Sequence, residues 1–98
     1  MKIVWTDPAV NDLDGIQSYL TPDSTRYASI LIEKIILATE NLKLFPLMGR
    51  IVPEVAEIAI REIFVHHYRI IYRTNDDLIE ILAIIHQARD LSNIKENL

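Results

Sequence analysis

A change of hydrophobic period near residue 60 is the feature that most constrains the fold of this chain. Residues 61–87 read "REIFVHHYRIIYRTNDDLIEILAIIHQ", a segment rich in β-branched and aromatic residues that is interrupted only at "HH" and "TNDD". Apolar runs of this length separated by short polar breaks are typical of hairpins. We therefore predict three strands linked by tight turns in the second half of the chain.

Alternation within these strands predicts what each face of the sheet carries, because successive side chains of a strand point to opposite sides. In the middle strand one face holds Tyr68, Ile70 and Tyr72, and the other holds Arg69, Ile71 and Arg73. In the last strand one face holds Ile79, Ile81, Ala83 and Ile85, and the other holds Glu80, Leu82, Ile84 and His86. The side that carries the arginines should therefore also carry Leu82, Ile84 and His86. Such a mixed surface suits a partner, or else the C-terminal "LSNIKENL" folds back over it.

The first half of the chain has helical periodicity after a short opening strand, "KIVWT". We predict a first helix with Asp7 as its N-cap and Pro8 at its first position. Its apolar stripe is Ala9, Leu13, Ile16 and Leu20. A second helix should run from about Thr21 to about Leu44, since Pro46 stops it. Its stripe is Ala28, Leu31, Ile35, Ala38 and Leu42.

The order of these elements predicts the fold class. Two helices joined closely form an antiparallel hairpin, and an antiparallel sheet needs a layer to cover its apolar face. We therefore expect a two-layer α+β domain over residues 1–98, ordered β-α-α-β-β-β, with a short strand in the connector "MGRIVPEVAEIAI" and a short C-terminal helix capped by Asp90 or Ser92.

Composition narrows the possible functions. The chain has 98 residues, half of them apolar, and no cysteine, so it can bury a core without disulfides and has no thiolate chemistry. No apolar run is long enough to span a membrane, and we expect a cytosolic (cytoplasmic) protein. The net charge of −4 means that contact with nucleic acid needs a local basic patch. We expect no cofactor and no metal, because His66 and His67 lack a suitably spaced third ligand.

One local basic patch exists between residues 60 and 73. It comprises Arg61, Arg69, Arg73, His66 and His67, against a single acid, Glu62. Arginines are also common on ordinary strand surfaces, so the patch by itself does not indicate a nucleic-acid site.

Several motifs together resemble the RelE/ParE family of toxins from type II toxin–antitoxin systems, also called plasmid stabilisation proteins. They are "DL..I..YL", "L..FP..GR.VPE", "IREIFVHHYRIIYR" and "IEILAIIHQARDL", with a tryptophan after the opening strand. The resemblance covers nearly the whole chain and implies the same β-α-α-β-β-β fold. It also implies growth inhibition by the free toxin and an antitoxin encoded alongside, whose C-terminal segment wraps the toxin.

The resemblance implies two alternative targets. ParE-like members poison DNA gyrase and have no known hydrolytic site, whereas RelE-like members cut messenger RNA on the ribosome. We place gyrase slightly ahead of the ribosome. A third possibility is an inactive relative that only binds its antitoxin and acts as a co-repressor.

If the chain were a ribonuclease, the resemblance would assign its catalytic residues one at a time. Glu54 would be the base, His86 the acid, and Arg69 with Arg89 the phosphate clamp. The set matches no single subgroup, because His86 is displaced by one residue and the usual C-terminal tyrosine is absent. In either case we expect antitoxin or target to bind the sheet surface formed by Arg61, Arg69, Ile71, Arg73, Leu82 and Ile84.

Overall fold

The polypeptide folds into a helical hairpin packed on one mixed sheet. The computed structural model describes residues 1–88. The elements in chain order are β1 Lys2–Trp5, α1 Asp7–Leu20, α2 Thr25–Asn41, β2 Arg50–Ile51, β3 Ile60–Val65, β4 Tyr68–Thr74 and β5 Leu78–His86. The strand order is β1-β5-β4-β3-β2, with β1 parallel to β5 and every other pair antiparallel. The predicted α+β class is confirmed, and the predicted C-terminal helix lies outside the described residues.

The first helix is capped one residue earlier than predicted. Thr6, not Asp7, is the N-cap, and its hydroxyl accepts a hydrogen bond from the Ala9 N–H at 3.4 Å. The same hydroxyl donates to the Ile81 carbonyl at 2.7 Å, so the cap also attaches the helix to β5. Asp7 is the first helical residue, where a negative charge is favourable near the helix N-terminus.

The second helix is shorter at both ends than predicted. It begins at Thr25 behind the N-cap Ser24, whose side chain accepts from the Tyr27 N–H at 3.0 Å. The N–H groups of Asp23 and Ser24 both donate to the Leu20 carbonyl, so residues 21–24 form a turn. At the other end the helix stops at Asn41, and residues 42–44 continue in tighter i to i−3 hydrogen bonds.

The main core lies between the helices and the sheet, as the periodicity predicted. The helical stripes supply Ala9, Ile16, Leu31, Ile35 and Leu42, and the sheet supplies Ile63, Ile70, Tyr72, Ile79, Ile81 and Ile84. Tyr72 is fully buried and also holds the loop before β2, since its hydroxyl donates to the Pro46 carbonyl and accepts from the Gly49 N–H.

A bulge in β5 reverses the predicted alternation halfway along the strand. Ile71 pairs with Ala83 but Tyr72 pairs with Ile81, so Leu82 has no partner on β4. An extra residue in one strand turns every later side chain to the opposite face. The prediction was therefore wrong for Ile84, which packs in the helical core at 3% exposure.

The far face of the sheet, away from the helices, is filled rather than bare. It carries a second cluster of buried residues, namely Val52, Ile60, Ile71, Ala83 and Ile85, with Val55 and Leu82 packed against it. Val52 and Val55 belong to the connector between β2 and β3, which therefore packs on this face. As predicted, Arg69 and Arg73 lie on this side, but Arg69 is only 5% exposed. The expectation of an open binding surface there was wrong.

Candidate functional site

Arg69 lies at the centre of an ion-pair network on the far face. Its Nη1 and Nη2 donate to the two carboxylate oxygens of Glu54 at 2.8 and 2.9 Å. Its Nε donates to one oxygen of Glu62, and the Nε of Arg50 donates to the other at 2.7 Å. We call Arg50, Glu54, Glu62 and Arg69 the far-face quartet. Two cations and two anions make it neutral overall.

The strand register positions the two central members of the quartet. Phe64 pairs with Arg69 and Glu62 with Ile71, so Glu62 and Arg69 are diagonal neighbours on one face. Glu62 is 1% exposed, which requires that both carboxylate oxygens have partners. Arg69 and Arg50 provide those partners.

The connector brings Glu54 to this site. The Val52 N–H donates to the Ile60 carbonyl, and the N–H groups of Val55 and Ala56 return to the Val52 carbonyl. Ala56 has a φ of 57°, a left-handed conformation that closes the turn. The turn thus presents Glu54 to the buried guanidinium.

The contact changes the acid–base properties of both partners. The hydrogen bonds that Arg69 donates to Glu54 lower the pKa of Glu54 to about 2. The pKa of Arg69 is raised, chiefly by its hydrogen bonds to Glu54, although burial acts in the opposite direction. A carboxyl with a pKa of about 2 is a weak proton acceptor at neutral pH.

The structure does not bring His86 to the quartet. His86 pairs with Tyr68, whose side chain packs against the helical core, so His86 is on the helical side of the sheet. Its ring is stacked 6.0 Å from that of His67 and meets the Tyr68 ring edge at 5.7 Å. Placing His86 beside Arg69 was wrong, because the bulge at Leu82 changes its face. The fourth candidate, Arg89, lies outside the described residues.

The other predicted surface residues are also separated. Arg61 lies on the helical side, opposite Tyr72, and its Nη1 donates to the Gly49 carbonyl at 2.9 Å. Ile71 is fully buried. Arg73 is on the far face, where its Nη1 lies 3.7 Å from the Oε1 of Glu80. Leu82, the bulged residue, packs against the far-face cluster.

Sequence reasoning did not identify Glu62 and Arg50 as members of the site. It counted Glu62 only as the single acid of the basic patch and gave Arg50 no role in a site with Arg69. One signal was available in the strand register. Phe64 pairs with Arg69, and Glu62 lies two residues before Phe64, so Glu62 and Arg69 have opposite charges on one face of the hairpin.

Within residues 1–88, no three histidine, aspartate or glutamate side chains lie close enough together to hold a metal ion. Over the same residues, neither helix combines the length and the apolar character that crossing a membrane requires.

Comparisons with known proteins agree on one family. The family model of the ParE toxin of the type II toxin–antitoxin system, parDE, matches residues 3–91. Toxin RelE2 of Caulobacter vibrioides is 33% identical over 89 residues, which are 90% of this chain and 97% of that protein. A chain of the chromosomal ParDE TA system from P. aeruginosa shares the fold, with a TM-score of 0.72 at 22% identity, over 88% of this chain and 95% of that one. The chain therefore belongs to the RelE/ParE family of type II toxin–antitoxin toxins.

Proposed function

We propose that this chain inhibits growth when free of its antitoxin and that its target is DNA gyrase. The observation that carries the choice of target is the far-face quartet. Arg69, the arginine that would contact a scissile phosphate in a nuclease, is buried and already bound by two carboxylates.

Cleavage of RNA through the ribose 2′-OH needs a base, an acid and a cation at the developing phosphorane charge. Among residues 1–88, the candidate base, the candidate acid and the candidate cation are each poorly suited to this reaction. The pKa of Glu54, at about 2, makes it a weak base. His86, the candidate acid, is on the opposite face of the sheet from Arg69. The charge of Arg69 is balanced by Glu54 and Glu62.

Overall charge supports the same choice. A protein that docks on ribosomal RNA gains affinity from cationic surface, and this chain has a net charge of −4. Inhibition of gyrase requires neither an acid–base pair nor a phosphate clamp on the toxin.

A supercoiling assay with purified gyrase tests the proposal. Adding the free toxin to gyrase, ATP and relaxed plasmid should reduce supercoiling, and adding equimolar antitoxin should restore it. Expression in growing cells should also induce the DNA damage response. Normal supercoiling at saturating toxin would contradict the gyrase proposal.

The alternative is a ribosome-dependent mRNA endoribonuclease. One observation favours it: a relative that covers nearly the whole chain carries the name Toxin RelE2. Primer extension on message from expressing cells distinguishes the two functions. Cleavage at defined positions within codons, with normal supercoiling, would establish the nuclease.

A further inference from the structure

The segment between α2 and β2 contains a β-turn with an apolar tip. The Met48 N–H donates to the Phe45 carbonyl at 3.1 Å, which closes a four-residue turn with Pro46 at its second position and Leu47 at its third. Apart from proline, turns favour glycine, asparagine, aspartate and serine, whose conformations or side-chain hydrogen bonds suit the bend. Here Phe45 and Leu47 are 63% and 60% exposed. Turn geometry therefore does not account for the apolar side chains.

The turn is fixed in place although its side chains are exposed. Tyr72, which is fully buried, donates its hydroxyl to the Pro46 carbonyl at 2.9 Å. Arg61 donates from its Nη1 to the Leu47 carbonyl at 3.4 Å and from its Nε to the Ile58 carbonyl at 3.0 Å. The guanidinium thus joins the turn to the connector before β3. A surface that is already ordered loses little conformational entropy when it binds a partner.

Large apolar side chains around this turn form a surface that we call the turn patch. It comprises Met1, Leu44, Phe45, Leu47 and Ile58, which are between 45% and 76% exposed. With about 200 Å² for a fully exposed large apolar side chain, the patch exposes roughly 600 Å², the upper end for a typical monomer. A stable interface buries about 800 Å² on each partner, of which about 60% is apolar. The turn patch therefore supplies the apolar area of one side of such an interface.

A recess of about 400 Å³ opens within the turn patch. Met1, Leu47 and Ile58 line it, together with the end of β4 and the residues that follow, 74–76. Leu44 and Phe45, next to the recess in the same segment, are 76% and 63% exposed. A surface that combines a recess with exposed apolar side chains can bind a second copy of itself about a two-fold axis, because each copy then fills the recess of the other.

The turn patch carries little charge. The chain has a net charge of −4, so two copies repel each other unless they meet through a surface of low charge. Among the described residues that line the recess, Asp76 is the one with a charged side chain, and its exposure lets it stay hydrated. Arg61 provides a cation beside Leu47 and Ile58. Where two copies would meet, the surface is therefore close to neutral.

We propose that two copies of the free toxin form a symmetric dimer through the turn patch, with Leu44 and Phe45 of each copy packed at the recess of the other. Any other partner would need a shape that matches both the recess and the exposed side chains, whereas a second copy provides both. Burial of the patch on each copy supplies the apolar area of an interface of about 1,600 Å² in total. The inference is independent of whether gyrase or the ribosome is the target.

Sedimentation equilibrium of the full toxin without antitoxin tests the dimer. At micromolar concentrations the mass should approach twice that of one chain. Leu47→Glu adds an acid to the patch of each copy and should weaken dimerisation by about 10-fold or more. Leu37→Glu is the matched control, because Leu37 is a leucine of similar exposure, 63%, on α2 outside the patch, and it should leave the dimer unchanged. A monomeric wild-type protein, or equal effects of the two substitutions in variants shown to be folded by circular dichroism, would overturn the inference.

Methionine methyl signals in NMR spectra test where the interface lies. The chain has two methionines, Met1 in the turn patch and Met48 at the end of the turn. With isotope-labelled methyl groups, the Met1 signal should shift with protein concentration in step with the dimer fraction, and Leu47→Glu should abolish the shift. Signals that do not change in a protein that is dimeric by sedimentation would place the interface elsewhere and overturn the inference. A shift that appears only when antitoxin is added would also overturn it and would assign the patch to the antitoxin.

Discussion

Glu54 and Arg69 form a two-point contact in which both Nη groups of the arginine donate to the two oxygens of one carboxylate. The pair joins the connector to β4 across the far face. Because Glu62 holds the remaining Nε, the guanidinium has a carboxylate along each of its donor edges. We infer that Arg69 is mainly a structural residue. Its substitution should therefore affect the stability of the fold.

Substitution of Arg69 by alanine should destabilise the fold. Within residues 1–88, the change leaves the Glu62 carboxylate, which is 1% exposed, with Arg50 as its one remaining partner. Breaking a buried pair by removing one member typically costs about 3–5 kcal/mol. Urea denaturation should show this loss in the free energy of unfolding. Glu54→Gln is the control and should cost much less, because the Glu54 side chain is 37% exposed; equal losses would show that Glu62 is not the critical partner.

The pH dependence of stability should include a contribution from Glu54. Its pKa is about 2 in the folded protein and 4.5 as the ordinary value, so the folded state favours the ionised carboxylate. The contribution is therefore complete above pH about 4.5 and is lost as the pH falls towards 2. Urea unfolding at pH 6, 4 and 3 should show a smaller decrease for Glu54→Gln than for the wild type. Parallel decreases for the two proteins would contradict the low pKa.

Much of the fold could be predicted from local sequence pattern, but the bulge in β5 could not. Period-two alternation correctly placed Tyr72 under the helices and Arg69 on the far side. Nothing local to β5 marks Leu82 as the extra residue. Around the bulge, β5 is held by distant groups: the Thr6 hydroxyl donates to the Ile81 carbonyl, and Asp12 accepts from the Ile84 N–H. Such contacts across more than 70 residues are not visible in a strand's own sequence.

The candidate site depended even more on tertiary structure. Glu54 and Arg69 were both selected by resemblance, but their contact requires a turn in which Ala56, a residue other than glycine, adopts a positive φ. The sequence of the connector gives no such signal. The resemblance therefore implies catalytic roles for two residues whose charges neutralise each other in the fold.

The two glycines of the chain should respond oppositely to alanine. A Cβ at Gly49 would lie 2.6 Å from both the Glu62 carbonyl oxygen and the Tyr72 hydroxyl, so Gly49→Ala should displace the loop and cost about 1–3 kcal/mol. Gly15 is inside α1, and among residues 1–88 an added Cβ would meet no atom within 4 Å beyond its own helix backbone and chain neighbours, so Gly15→Ala should stabilise by about 0.5–1 kcal/mol. Thermal unfolding of both variants checks the signs, and two shifts in the same direction would contradict this account.

A double substitution that removes the buried pair can separate the structural role of Arg69 from a catalytic one. Apolar replacement of both members of a buried ion pair is often tolerated, whereas removing one member is not. We expect Glu62→Met with Arg69→Met to fold, because the remaining members of the quartet, Arg50 and Glu54, are 58% and 37% exposed and can be solvated.

The functional result with this double variant distinguishes the two targets. A gyrase inhibitor that uses Arg69 only for structure should keep its inhibition of supercoiling within about threefold, whereas a nuclease that depends on the arginine for its phosphate should lose activity by about 100-fold or more. Circular dichroism and urea denaturation establish folding first, and Arg26→Gln provides a charge control at an exposed site. Loss of gyrase inhibition by a folded double variant would contradict the structural role, since Arg69 is 5% exposed and its three guanidinium nitrogens donate to Glu54 and Glu62.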